Sequence, residues 1–473
     1  MSKPFCDCAS LGPLFGLWAA GLISAFSVTV PVHAAGQFNW NTNSQRVTVD
    51  ISSEPLDDLL EKVAAATGWH VFVEPQTLHQ VSAKFRDLPP GEALHFLLGE
   101  VNFALVPSTN SSPRLFVFRT SRDRATQAVR PAKSVAQAES KPIPNELIVR
   151  LKPGAKIEEL AKLLGAKVTG RIDGLNAYRL QFDDAASTSS ARDQLAGNPD
   201  VAAVDSNFAV APPEGPLPVP SGGAAPLQLQ LKPPPDNGRI VVGLVDTAVQ
   251  SLGQNLDQFI MKQLSVAGDV QISSDTPTHG TAMAETILNS LQSFSKGSTS
   301  VQILPVNVYP GGGAGDASTT TFDVANGIVQ AANGGAKIIN LSLGSTSDSP
   351  FLQSVIQEIS KLNIPMFAAA GNQPVTTPFY PAAYPQVTAV TAIDNGQLAP
   401  YANRGSFVSL GAPGTSVVPF GNLSFGVQGT SVSSAYTSGL AAGYLESSSD
   451  NVSKMETFLN NNFGIKITSP PGK

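Results

Sequence analysis

Histidine occurs five times in 473 residues, at His33, His70, His79, His95 and His279, so a single imidazole serves the whole chain beyond residue 95. It stands in Thr278-His279-Gly280-Thr281-Ala282-Met283-Ala284, the start of a helical pattern that runs to about Leu291. Far downstream, Gly429-Thr430-Ser431 opens a run of small residues through Ala441 and Ala442. This pattern predicts a sharp turn into a closely packed helix with Ser431 at its mouth. A helix N-terminus offers positive potential and unpaired N–H groups, which suit a developing oxyanion. Ser431 could serve only as a helix cap. Paired with His279 as base it becomes a nucleophile, and a carboxylate is then needed to fix the imidazole tautomer. Asp246 fits, because it ends the apolar run 240–245 and so falls at the carboxyl edge of a parallel sheet.

Five segments follow one another in order: Val245-Asp246-Thr247, His279-Gly280-Thr281, Asn340-Leu341-Ser342-Leu343-Gly344, Ala369-Ala370-Gly371-Asn372 and Gly429-Thr430-Ser431. Together they resemble the motifs of subtilases, the subtilisin-like serine peptidases, over about residues 239–463. The resemblance implies an endopeptidase that hydrolyses peptide bonds through an acyl-enzyme. Asp246, His279 and Ser431 would form its triad, and Asn372 would join the Ser431 N–H in the oxyanion hole. Ser342, Leu343 and Gly344 would pair with extended substrate, while Ala369, Ala370 and Gly371 would wall the pocket for the side chain before the scissile bond. The sequence departs from the family pattern at Val432, Ala435, Ala248 and Glu285, where methionine, proline, glycine and a small residue are usual. Two other readings stay open: a catalytically weak or inactive envelope adaptor, and a membrane-tethered processing enzyme with one partner substrate.

The elements that must position these residues read as α/β. From residue 239 to 463, apolar strand runs alternate with helical patterns, the signature of a parallel sheet with helices on both faces. Two small α+β domains precede it. Residues 45–119 resemble the short N-terminal domain of secretins and TonB-dependent receptors, which implies a docking module for an envelope protein partner. Its His70, His79 and His95 fall on different elements and suggest no metal site. Residues 143–210 follow a β-α-β-β-α-β order, hence a ferredoxin-like fold, and resemble a subtilase propeptide, a folding assistant and intramolecular inhibitor. Residues 120–142 read as a locally basic linker. The Pro-rich stretch 211–238 reads as a second linker without regular structure, a natural place for self-cleavage of a zymogen.

Residues 1–35 carry Lys3, an apolar stretch and Ala34-Ala35, the form of a cleaved signal peptide, with an uncleaved anchor as the alternative. Export would place the protein in the periplasm, cell envelope or extracellular space of a bacterium with an outer membrane. Cys6 and Cys8 are the only cysteines, so the exported chain would have no disulfide and no thiolate ligand. A net charge of −6 argues against nucleic acid as a partner. Gly311 to Gly315 lack nucleotide-loop spacing and read as a surface turn. The absence of G-x-S-x-G and H-E-x-x-H disfavours an α/β-hydrolase and a zincin. The chemistry requires no cofactor. Structural calcium is common in subtilases, but Asp257, Asp269, Asp275 and Asp316 form no loop that assigns a ligand set.

Overall fold

Alternation in Arg46–Pro55 buries Val47, Val49 and Ile51 on one side of a strand, and the chain then turns into a helix whose Leu56, Leu59, Leu60 and Val63 face the same core. These elements open the first of three units in the computed structural model. It describes residues 37–465 except 75–76, 78, 108–112, 126, 130–140, 220–226, 236–237, 254, 273–274, 314–316 and 449–450. The signal segment and Asp316 therefore lie outside the described residues.

The first unit comprises β1 (Gln37–Asn41), β2 (Arg46–Pro55), α1 (Leu56–Thr67), β3 (His70–Val73), β4 (Gln80–Leu88), α2 (Pro90–Leu98), β5 (Asn102–Val106), β6 (Arg114–Phe118) and β7 (Gln127–Val129). Sheets β1-β2-β4 and β5-β6-β3-β7 enclose the two helices. Strand β7 lies inside the stretch read as a linker. It closes the open edge of β3, with Val129 opposite Val71, and three residues are too few to show a period in sequence.

The second unit runs β8 (Pro142–Leu151), α3 (Ile157–Leu164), β9 (Lys167–Ile172), β10 (Ala177–Gln181), α4 (Ala185–Ala196) and β11 (Val201–Val210). Its strand order β11-β8-β10-β9 is that of a ferredoxin-like sheet. The Pro-rich stretch after it holds two short strands, β12 (Leu217–Val219) and β13 (Gln230–Leu231), against the expectation of none. Leu217, Pro218 and Val219 pair along one edge, and Pro216 falls just before them, an arrangement that an edge strand tolerates.

The third unit contains β14 (Val241–Asp246), β15 (Leu264–Ser265), α5 (His279–Ser295), β16 (Ser298–Thr299), β17 (Gln302–Asn307), β18 (Thr319–Thr320), α6 (Thr321–Asn333), β19 (Ile338–Leu341), α7 (Pro350–Ser360), β20 (Met366–Ala369), β21 (Thr388–Asp394), β22 (Gln397–Leu398), β23 (Leu410–Pro413), β24 (Thr415–Phe420), β25 (Leu423–Gln428), α8 (Thr430–Ser448) and α9 (Val452–Phe463). The main sheet runs β15-β17-β14-β19-β20-β21-β22, with β23 beside β21, and is parallel except for the β21–β22 hairpin. Helices α6 and α7 cover one face; α5, α8 and α9 cover the other. All six residues of β14 are buried, as an apolar run between two helix layers demands. Helices α5 and α8 pack so closely that a Cβ at Gly439 would overlap Ser290 Oγ and the Ile287 carbonyl.

Candidate active site

Strand β14 ends at Asp246, whose side chain is fully buried. Its Oδ1 accepts the Thr247 N–H at 2.6 Å, and its two oxygens lie 2.8 and 3.0 Å from His279 Nδ1. A carboxylate there requires the proton on Nδ1, so His279 Nε2 is left as an acceptor. The Tyr309 phenol, also fully buried, is held well above its ordinary range by burial and then by the Asp246 charge, and it donates to the Ala211 carbonyl at 3.1 Å.

His279 is the first residue of α5, and its position is set by three contacts around it. Thr278 caps the helix by accepting from Thr281 N–H, and its hydroxyl donates to the Ala248 carbonyl at 2.6 Å. Gly280 N–H donates to Thr247 Oγ1 at 2.7 Å, and a Cβ at Gly280 would overlap the Thr247 carbonyl, so only glycine lets the helix start this close to β14. The turn read as superficial is part of the same wall: Gly312 is buried and its carbonyl accepts from Ala248 N–H, while Gly313 lies against the Thr247 side chain.

Ser431 stands in the first turn of α8 and is 8% exposed. Its hydroxyl donates to the Ser342 carbonyl at 3.0 Å, and Ser342 Oγ donates back to the Ser431 carbonyl at 2.9 Å. The structure thus couples Asp246 to His279 directly and ties Ser431 to Ser342. Behind Ser342 lies Asn340, a residue to which sequence reasoning gave no role of its own. Its Nδ2 donates to Ser342 Oγ, and its Oδ1 accepts from Ser434 and Ser438 on α8. Only its place in the Asn340-to-Gly344 motif hinted at it.

Asn372 Oδ1 accepts from both the N–H and the hydroxyl of Thr430, at 2.8 and 2.9 Å, and Thr430 Oγ1 accepts from Gly371 N–H. With the oxygen so engaged, the exposed amide keeps Nδ2 as its donor. Gly429 sits at φ +147°, and a Cβ there would lie 2.8 Å from Asn372 Nδ2. The residues expected to meet substrate lie against other parts of the fold. Leu343 is buried in the core, Gly344 abuts Phe379 and Tyr380, and Ser345 pairs with Tyr380. Ala369 and Ala370 are buried, the latter bonded to the Val390 carbonyl, and Gly371, at φ +105°, backs onto Asn403.

Val432 and Ala435, two of the departures from the family pattern, are buried in the core shared with Ala282 and Met283 of α5. Among the described residues, no group of three or more His, Cys, Asp or Glu side chains is arranged to hold a metal ion, and Asp257 bonds Ser251 and Leu252 N–H.

The second unit docks on α6. Asn207 Oδ1 accepts from Phe322 N–H and the Thr321 hydroxyl at the helix start, Arg179 pairs with Asp323 at 2.8 Å, and β11 pairs antiparallel with β18.

Residues 237–462 match the subtilase family model, and residues 129–207 match the fervidolysin N-terminal prodomain. Thermitase of Thermoactinomyces vulgaris is 31% identical over 227 residues, 46% of this chain and 79% of that protein. A thermophilic serine proteinase of Bacillus sp. (strain AK1) is 33% identical over 209 residues, 42% of this chain, and there the match spans only 51% of the relative's length. The solved structure of fervidolysin from Fervidobacterium pennivorans superposes with a TM-score of 0.50 at 19% identity, covering 65% of this chain and 55% of that one, a likeness of fold. The third unit has the subtilisin-like α/β fold, and the chain belongs to the subtilase family.

Proposed function

We propose that the protein is an exported serine endopeptidase, made as a zymogen that processes itself. The observation that carries this reading is the buried Asp246–His279 pair at the sheet edge, with the Ser431 hydroxyl at the mouth of α8. In the reaction, Ser431 leaves the Ser342 carbonyl, gives its proton to His279 Nε2 and attacks a peptide carbonyl. The imidazolium, stabilised by Asp246, then protonates the departing amine, and water repeats the sequence on the acyl-enzyme. Asn372 Nδ2 and the Ser431 N–H donate to the oxyanion; one such donor is typically worth about 10²- to 10³-fold in rate.

The second unit acts as the intramolecular inhibitor, a role supported by its match to a prodomain and by its bonds to α6. Protein or peptide substrates follow from the family. The first unit keeps its reading as a short domain of the secretin and TonB-receptor kind, and an envelope partner would bind it through surfaces that this chain leaves open. The adaptor reading is less favoured, because Val432 and Ala435 are packing residues and supply none of the reacting atoms.

Labelling with a fluorophosphonate probe tests the reading. Adduct at Ser431, lost in Ser431→Ala, is expected. N-terminal sequencing of the wild type beside Ser431→Ala reports export and self-processing together. An unlabelled wild type after removal of residues 142–210 would point to the adaptor instead.

A further inference from the structure

In the sheet β5-β6-β3-β7, alternate residues face opposite ways. Val71, Val73, Leu115 and Val117 pack on the helices of the first unit, while Phe72 and Phe116 point away from them, their rings stacked 5.2 Å apart. In a free-standing domain this second face would be an exposed aromatic patch. Here Phe72 is 0% and Phe116 2% exposed: Ala125, Val106 and Phe118 of the first unit flank them, and Val219 and Leu217 of β12 with Val417 of β24 complete the cluster. Strand β12 is itself built into the third unit, antiparallel to β25, with Leu217 opposite Gly426 and Val219 opposite Ser424. Strand β7 packs on β25 as well. The first unit thus holds the far side of the Pro-rich stretch, while the second unit holds the near side through β11 and β18.

We propose that the first unit is a built-in subunit of the peptidase, docked through its Phe72–Phe116 face on β12 and β24, and that it acts as a second grip on the propeptide. The docking does not depend on self-processing; only its use in maturation rests on that reading. A cut within residues 211–216 would separate the chain into an amino-terminal piece and a peptidase that still touch at two surfaces. Two weak contacts joined by one chain release together far more slowly than either does alone. Loss of the first unit, by a second cut before residue 142, then becomes the step that frees the propeptide.

The test uses the full chain carrying Ser431→Ala, so that no self-cleavage intervenes, with the recognition sequence of a site-specific protease inserted within residues 130–140. After cutting, the fragment ending near Val129 is expected to co-elute with the rest of the chain on size exclusion, and to elute alone when Val417→Asp is present. Val417 lies outside the first unit, so the fragment's own core is untouched, and circular dichroism of the released fragment confirms that it is folded. Phe116→Ser gives the same release from the other side. With the recognition sequence moved to residues 211–216, Val417→Asp should speed departure of the amino-terminal piece at least ~10-fold. Elution of the fragment alone from the otherwise unaltered chain, or a departure rate that Val417→Asp leaves unchanged, would overturn the proposal.

Discussion

Glu285 lies on α5, six residues past His279, and is 3% exposed. Burial alone raises its carboxyl from 4.5 to about 8. Between those values the unfolded chain has released this proton while the folded chain still holds it. For an acid whose folded pKa is raised, the folded state is favoured most below pH 4.5, loses ground as pH climbs through the window, and levels off above about 8. At about 1.36 kcal/mol for each pH unit, the interval amounts to about 4–5 kcal/mol of lost stability. The perturbation is Glu285→Gln, which keeps the shape and cannot ionise. The assay is urea unfolding in the Ser431→Ala background, where self-digestion does not blur the baseline, at pH 5 and pH 9. The glutamine chain should exceed its parent by about 4 kcal/mol at pH 9 and match it within about 1 kcal/mol at pH 5. Parallel pH profiles for the two chains would refute the argument, since they would mean that the carboxylate ionises in place without cost.

Asn340→Ala removes three buried hydrogen bonds and, at about 1 kcal/mol each, should cost about 3 kcal/mol in urea unfolding. It should also lower kcat with KM little changed, because Ser431 loses its brace; a loss confined to KM would count against that role. Gly429→Ala places a Cβ 2.8 Å from Asn372 Nδ2 at φ +147° and should slow peptide hydrolysis by about 10²-fold, read as kcat/KM per titrated site. Arg179→Ala leaves Asp323 buried without its cation, holding only the Thr320 hydroxyl, and should weaken retention of the cleaved propeptide by roughly 3 kcal/mol, measured as its dissociation rate. Unchanged retention would show that this pair contributes no grip.

What could be read from sequence was whatever a local run of residues encodes. The apolar stretch before Asp246 stops where β14 stops, and the small residues after Gly429 become a helix buried along nearly all its length. The α/β alternation was legible for the same reason, since a strand enclosed on both faces has no polar side to conceal it. Strand β12 escaped notice because its prolines suggest irregular backbone, and its pairing depends on β25, more than 200 residues away. The part played by Asn340 was hidden likewise: Ser434 and Ser438, its partners on α8, are 94 and 98 positions distant. The Gly312 turn looked superficial because its packing partner, Ala248, lies in another loop.

The position of Ser431 follows from a property of α8 that composition alone makes puzzling. A helix buried on nearly every side has no amphipathic stripe to fix its rotation, and its small residues would let it slide or turn. Hydroxyls supply the missing register. Ser433 donates to the carbonyls of Ala412 and Pro413 on one flank, while Ser434 and Ser438 donate to Asn340 on the other. Each bond has a narrow range of distance and direction, so together they set the helix in rotation and along its axis. Ser342 then joins Asn340 to the Ser431 carbonyl, so the backbone that carries the nucleophile is bonded to the same asparagine that fixes the helix. Close helix packing made possible by Gly439 brings α5 alongside, and Gly280 brings its first turn against Thr247. The hydroxyl and the imidazole are therefore placed by polar contacts inside the core and by glycines where helices meet. Substitutions that only change the size of apolar neighbours should disturb the reaction less than loss of a single one of these hydrogen bonds.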